Sequence, residues 1–353
     1  MNFRDFISGL ISSPAAIPSA FQVKPESPEK QKQFSIPFKE YEHYFLVEIN
    51  EMFLSEKVRW FREYIPIVYT TTAFQYGKDK VETPFIVGPS LLDTQIKDLA
   101  KDMVLYDTAV AGWHPYAGDK VTVTILLCKA VADDYIKRMF KAVEKIAGVF
   151  GPAMVSTLGS AISMSRTIVE GVNELVDSNN INGLALFRKE FDPKRGEGFY
   201  PGYYLLLDEM IDEAEKKNFF VRQDRLFYGE DPGTAEPYRQ GNYVLFSIQQ
   251  DNKRTDYKSF PFYEFYERAL EMANKKPLTD EKVLEIQDQL AALSVAMFKS
   301  PDLIEAHANV LMDEFYSKVK AAKERIYKLS GGVLSTAEEN GYWHEMSKKI
   351  RTL

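Results

Sequence analysis

The hydrophobic pattern changes period along the chain. Between Phe34 and Val87 apolar residues alternate with polar ones or gather in aromatic and β-branched runs, at Tyr44 to Ile49, Val58 to Thr72 and Val81 to Val87. Both patterns are strand signatures. Pro66 inside the second run predicts an edge position or a bulge, and Tyr76 to Lys80 reads as a hairpin loop. Further strands are predicted at Met103 to Gly112 and Val121 to Cys128, joined through His114 to Asp119 with the Gly and Asp of a tight turn. Short polar turns without long intervening helices point to antiparallel pairing.

From Ala132 the period lengthens. Ile136, Met139, Phe140, Val143, Ile146 and Phe150 follow one another mostly at steps of three or four. Gly151-Pro152 interrupts, and Val155, Leu158, Ile162, Ile168, Val172 and Leu175 resume near one face, predicting a helical pair. Strand patterns return at Gly183 to Phe191, Tyr203 to Leu207, Phe219 to Tyr228 and Asn242 to Gln249. A short acidic helix is predicted over Glu209 to Lys216, and Gly229 to Pro237 is a turn region.

The remainder reads as helical: Tyr263 to Met272, then Val283, Ile286, Leu290, Leu293 and Met297, then a long seam of Ile304, Ala308, Leu311, Phe315, Val319, Ala322 and Ile326. That seam fits helix packing inside the domain better than an intermolecular coiled coil, because Ala positions weaken it.

These patterns predict an α+β fold, mostly antiparallel sheet or β-sandwich, with an inserted helical hairpin and C-terminal helices. Residues 1–33 read as an N-terminal arm and linker, since Lys24 to Gln33 is polar and interrupted by prolines. Residues 34–330 read as a single body with a helical insertion over 132–177, the C-terminal helices covering a sheet face. The alternative is two domains divided near Asp177 to Asn182. Residues 331–353 read as a tail.

Composition narrows the chemistry. The 353-residue chain carries 51 acidic against 44 basic residues, a formal charge of -7, without the concentrated basic surface that nucleic acid requires. Cys128 is the only cysteine, so no intrachain disulfide forms, and its strand context reads as core. The start of the chain lacks the pattern of a secretory leader, which makes a reducing cytoplasm the expected location.

Catalytic signatures are missing. There is no G-x-x-x-x-G-K-[ST], no G-x-G-x-x-G after a strand, no H-E-x-x-H and no serine elbow. His43, His114, His307 and His344 are scattered, so neither a metal nor a cofactor is expected. Asp208-Glu209, Asp212-Glu213 and Asp224 remain as acids for a spatially assembled carboxylate site.

Two features stand out. Aromatic residues make up 13% of the chain and bunch at Trp60-Phe61, at Phe199 to Tyr204 and at Phe260 to Tyr266. Tyrosines combine apolar area with a hydroxyl and favour interfaces, so Phe199, Tyr200, Tyr203 and Tyr204 are candidate interface residues. Phe3, Phe6, Ile7, Leu10 and Ile11 of the apolar arm join them as a segment that docks on a protein partner or a second copy. The other feature is Ile146 to Ser165, a run without Asp, Glu, Lys or Arg. It has the length of a membrane span but is rich in Ser, Thr and Gly. Phe150, Val155, Leu158 and Ile162 would carry a conditional membrane contact.

The resulting expectation is a non-enzymatic interaction, structural or adaptor subunit of a larger intracellular assembly. Its alternatives are a conditionally membrane-active protein using 132–177, and an enzyme with a carboxylate site.

Overall fold

The computed structural model describes residues 20–55, 58–59, 62–87, 105–131, 181–196 and 198–329. The chain divides into two compact units between Asp251 and Asn252. That division falls inside the range read as a single body and well beyond Asp177 to Asn182.

The first unit is built on strands β1 (Ala20–Pro25), β2 (Tyr44–Phe53), β3 (Val58–Arg59), β4 (Arg62–Tyr76), β5 (Asp79–Val87), β6 (Leu105–Pro115), β7 (Val121–Val131), β8 (Ile181–Phe191), β9 (Gly202–Leu207), β10 (Phe219–Arg222), β11 (Arg225–Tyr228), β12 (Glu236–Pro237) and β13 (Tyr243–Asp251), with one short helix, α1 (Pro28–Phe34). Among the described residues they form an eight-stranded sheet, ordered β12-β11-β10-β1-β9-β13-β2-β6, and a five-stranded sheet, ordered β3-β4-β7-β8 with β5 also paired to β4. Pairing is antiparallel except between β1 and β10. Strands from distant parts of the chain are neighbours: β2 lies between β6 and β13, and Val121 of β7 stands opposite Phe191 of β8. The fold is α+β, as the pattern predicts.

One apolar core joins the two sheets. Phe45, Val47 and Ile49 of β2 and Val244, Phe246 and Ile248 of β13 pack with Val123, Ile125 and Leu127 of β7. The unit is therefore a sandwich. The large sheet is apolar on its other face as well, where Tyr203, Leu205, Tyr243 and Leu245 meet Phe219, Val221 and Leu226. This explains why β9 and β13 read as continuous apolar runs rather than alternating ones. A bulge in β2, where Leu245 faces Glu51 and Phe246 faces Ile49, leaves Asn50 as the extra residue. The bulge resets the alternation, so Met52 rejoins the sandwich core while Glu51 faces the β11 side.

Pro66 lies within the β4–β7 ladder opposite Lys129, and among the described residues the β5 ladder on β4 runs from Val68 to Tyr76.

Three expectations are corrected. Lys24 to Gln33 is not a tethering linker: β1 pairs with β9 and β10, and α1 follows with the Ser27 hydroxyl accepting from the Lys30 amide. Pro25 ends the strand and Pro28 opens the helix, the positions where a missing N–H costs least. Val23 and partly buried Phe21 anchor the segment. The acidic helix over Glu209 to Lys216 is reduced to a single 3₁₀ turn at Glu215–Asn218. Asp208 and Glu209 instead accept hydrogen bonds from Asn242 and the Tyr238 hydroxyl, which tie the start of that stretch to neighbouring loops. Phe219 to Tyr228 is a hairpin rather than one strand, turning through Gln223 (φ 48°) and Asp224 (φ 61°). Two left-handed residues make the type I′ geometry that suits tight hairpins.

The second unit comprises α2 (Tyr263–Ala273), α3 (Asp280–Phe298) and α4 (Glu305–Leu329). All seven residues of the predicted seam are buried, from Ile304 to Ile326. Phe315 stacks on Tyr266 with ring centroids 4.2 Å apart, so the seam packs within its own unit. The Thr279 side chain caps α3 by accepting from the Lys282 amide. Buried Arg254 grips both Asp256 carboxylate oxygens at 2.7 Å and donates to the Asp302 carbonyl at 2.9 Å.

Candidate interaction surface

One end of the sandwich holds a cluster of packed aromatic rings. It gathers the starts of β2 and β9 and the ends of β6 and β13, because Tyr44 stands opposite both Pro115 and Asp251, and Gly202 opposite Ile248. At its centre Phe38 stacks on Phe199, with Tyr116, Phe191 and Phe45 packed around them. Each of these rings is buried.

Backbone hydrogen bonds fasten the loops to this centre. The Phe38 amide donates to the Phe199 carbonyl at 2.8 Å, the Tyr41 amide to the Tyr116 carbonyl at 2.8 Å, and the Tyr116 amide to the His43 carbonyl at 2.9 Å. The Lys39 amide donates to Nδ1 of His43 at 3.0 Å. Gln250 of β13 reaches in with its side-chain amide, 3.2 Å from the Pro37 carbonyl and 3.2 Å from the same Nδ1. Gly118 takes φ +74°, and a Cβ there would lie 2.6 Å from the Glu40 carboxyl carbon. Burial pushes the Tyr116 hydroxyl above its ordinary range, with the charges of Glu40, Asp119 and Asp192 adding to it.

Against this closed interior three large apolar side chains turn outward: Ile36 is 48% exposed, Tyr41 55% and Tyr200 40%. Tyr41 also has φ 55°. Left-handed backbone costs a bulky L-residue about 1–2 kcal/mol, and the ring recovers little of that by burial.

The interface residues read from sequence divide unevenly. Of the aromatic cluster only Tyr200 faces outward. Phe199 and Tyr204 lie in the sandwich core and Tyr203 in the core on the opposite face of the large sheet, which corrects their reading as a surface patch. The reason is strand alternation: Tyr203 and Tyr204 sit on β9, a strand buried on both faces. The Tyr203 hydroxyl donates to the Asp224 carboxylate and accepts from Lys30 at 2.6 Å. Phe3, Phe6, Ile7, Leu10 and Ile11, and likewise Phe150, Val155, Leu158 and Ile162 of 132–177, lie outside the described residues, as does the tail 331–353. Among the described residues no helix is long and apolar enough to cross a membrane.

No pattern in the sequence marks Ile36 or Tyr41, and His43 reads only as one of four scattered histidines. Their stretch is polar enough to pass for an ordinary strand connection, and nothing in the letters marks a tyrosine with positive φ.

The candidate carboxylates are engaged in structure. Asp212 caps the Glu215 amide, Glu213 pairs with Lys216, and Asp224 takes Lys30 and Tyr203. Burial works against ionising Asp224, but the hydrogen bonds from Lys30 and Tyr203 and the charges of Lys30 and Arg225 outweigh it and hold the carboxyl low. Among the described residues no group of His, Cys, Asp and Glu is arranged to hold a metal ion. Cys128 is fully buried on β7 and its thiol is pushed up to about 12, so it is a core residue. Comparison of the chain with protein-family models, with curated proteins and with solved structures finds no match.

Proposed function

We propose that this chain is an interaction subunit that engages a protein partner through Ile36, Tyr41 and Tyr200. The observation that carries this reading is Tyr41. A backbone conformation that favours glycine holds instead a large amphipathic ring aimed into solvent. Strain of this kind persists where the side chain serves something outside the fold. Tyrosine suits the role, because its ring offers contact area with few rotamers to freeze and a hydroxyl for a hydrogen bond. The stacked pair beneath supplies rigidity, so little ordering is left for the moment of binding.

A photo-crosslinking phenylalanine analogue at Tyr200, expressed in the source cell, tests the reading. Met210 is the control position: it is 72% exposed and lies beyond the opposite end of β9. A discrete protein adduct at Tyr200 and none at Met210 is expected. Equal labelling at both positions, or none at Tyr200, contradicts the proposal.

A further inference from the structure

Within the loop that carries Ile36 and Tyr41, one ring nitrogen gathers two hydrogen bonds. Nδ1 of His43 faces two donors, the Lys39 amide at 3.0 Å and the Gln250 side-chain amide at 3.2 Å. The first is a backbone N–H and cannot reverse its role. The second is oriented by the Pro37 carbonyl, to which the same Gln250 nitrogen donates. Nδ1 must therefore present a lone pair, and the imidazole is neutral with its proton on Nε2.

Resting on the docking role assigned to this end of the sandwich, we propose that His43 is an acid-sensitive latch: protonation at Nδ1 sets a third N–H against the two donors, expels the Lys39 amide and loosens the Pro37–His43 turn between its backbone anchors at Phe199 and Tyr116, so that the docking surface loses its fixed shape. The proton comes from solvent and bonds to the Nδ1 lone pair; no other covalent bond changes.

The surroundings of the ring support this direction. Phe38 packs edge-on to it, with centroids 6.3 Å apart, and the strand start at Tyr44 is buried directly behind. The charged groups that act on the ring are Glu42 and Lys39, which pair with each other at 3.3 Å on the exposed side. Gln250 of β13 and the Tyr116 backbone at the end of β6 contribute no charge. Burial lowers the His43 pKa, Glu42 partly opposes it and Lys39 adds to it. The folded ring thus holds a proton less tightly than the unfolded one. The latch is fully closed above the ordinary histidine pKa of about 6.5 and is lost as pH falls through the lower folded value.

Hydrogen exchange on the full chain tests the latch without any partner, so its failure is separate from failure of the docking role. Protection of the peptide covering Pro37 to His43 is compared at about pH 7.5 and about pH 5 after correction for intrinsic exchange, in the wild type and in His43→Asn. Asn places an acceptor oxygen near the Nδ1 position but does not titrate in this range. In the wild type, protection should fall by roughly tenfold or more in acid, while the β13 peptide Tyr243–Asp251 stays protected at both values. In His43→Asn the acid-dependent change should vanish, whatever the absolute protection of its loop. Equal wild-type protection at both pH values, or the same acid loss in His43→Asn, overturns the proposal.

Discussion

Phe38 and Phe199 lie face to face, with ring centroids 4.2 Å apart and planes 20° from parallel. The contact joins a loop before β2 to a loop before β9, segments far apart in the chain. Because the Phe38 amide also donates to the Phe199 carbonyl, backbone and side chains fix the same juncture.

Removing either ring empties part of a closed aromatic core. Phe199→Ala and Phe38→Ala are each expected to destabilise the first unit by about 3–4 kcal/mol, read as a shifted denaturant midpoint. The double variant should lose less than the sum by about 1 kcal/mol, the coupling of a stacked pair. Strict additivity would mean that the two loops are held independently.

A second test concerns the charge beneath β11. Glu51 has no exposed surface; its carboxylate accepts from the Leu226 amide at 2.8 Å and lies 2.8 Å from Nη2 of Arg239. Geometry at Arg239 is that of an ion pair rather than a well-aligned hydrogen bond, and the arginine is about one-third exposed. Arg239→Met leaves a buried carboxylate facing an apolar chain. It is expected to cost about 2–3 kcal/mol, toward the low end for a broken buried pair because water reaches the arginine side. Glu51→Gln in that background should recover part of the loss by removing the charge. If the double variant is no more stable than Arg239→Met, charge burial is not the cause.

Thr70 and Thr72 supply the opposite sign. Both are fully buried in β4, and among the described residues neither hydroxyl has a hydrogen-bond partner. Thr70→Val and Thr72→Val replace a desolvated hydroxyl by a methyl of similar size, so each should raise stability by about 1 kcal/mol. A loss of stability in thermal unfolding would show that the hydroxyls are satisfied.

The elements best read from the letters are those whose burial follows one period. From Ile304, just before α4, to Ile326 within it, steps of three and four place every seam residue in the interior, since a helix with one apolar face has one way to bury it. Strands buried on both faces obey no such rule. Phe199, Tyr203 and Tyr204 look like an exposed aromatic turn because Pro201 and Gly202 lie among them, yet Gly202 is the first residue of β9. The segment Lys24 to Gln33 misleads for a related reason. Its polar side chains face outward from α1, which has no buried residue, and its place in the fold depends on Val23 and on β9, β10 and the Glu26–Arg222 pair far away in sequence. Tyr41 is the extreme case. Its importance lies in a dihedral angle set by Tyr116 and the loop closure, which no local pattern encodes.

The most direct measurement pairs stability with contact in one variant, Tyr41→Gly. Glycine accepts φ 55° without steric penalty, so the substitution removes the exposed ring and the backbone strain together. Thermal unfolding and crosslinking yield from Tyr200 are measured side by side in wild type and variant. The account predicts a melting temperature unchanged or raised, by up to the equivalent of about 1 kcal/mol, together with loss of the Tyr200 adduct. A lowered melting temperature would make Tyr41 a structural residue. An adduct that survives at full yield would remove the tyrosine from the interaction surface.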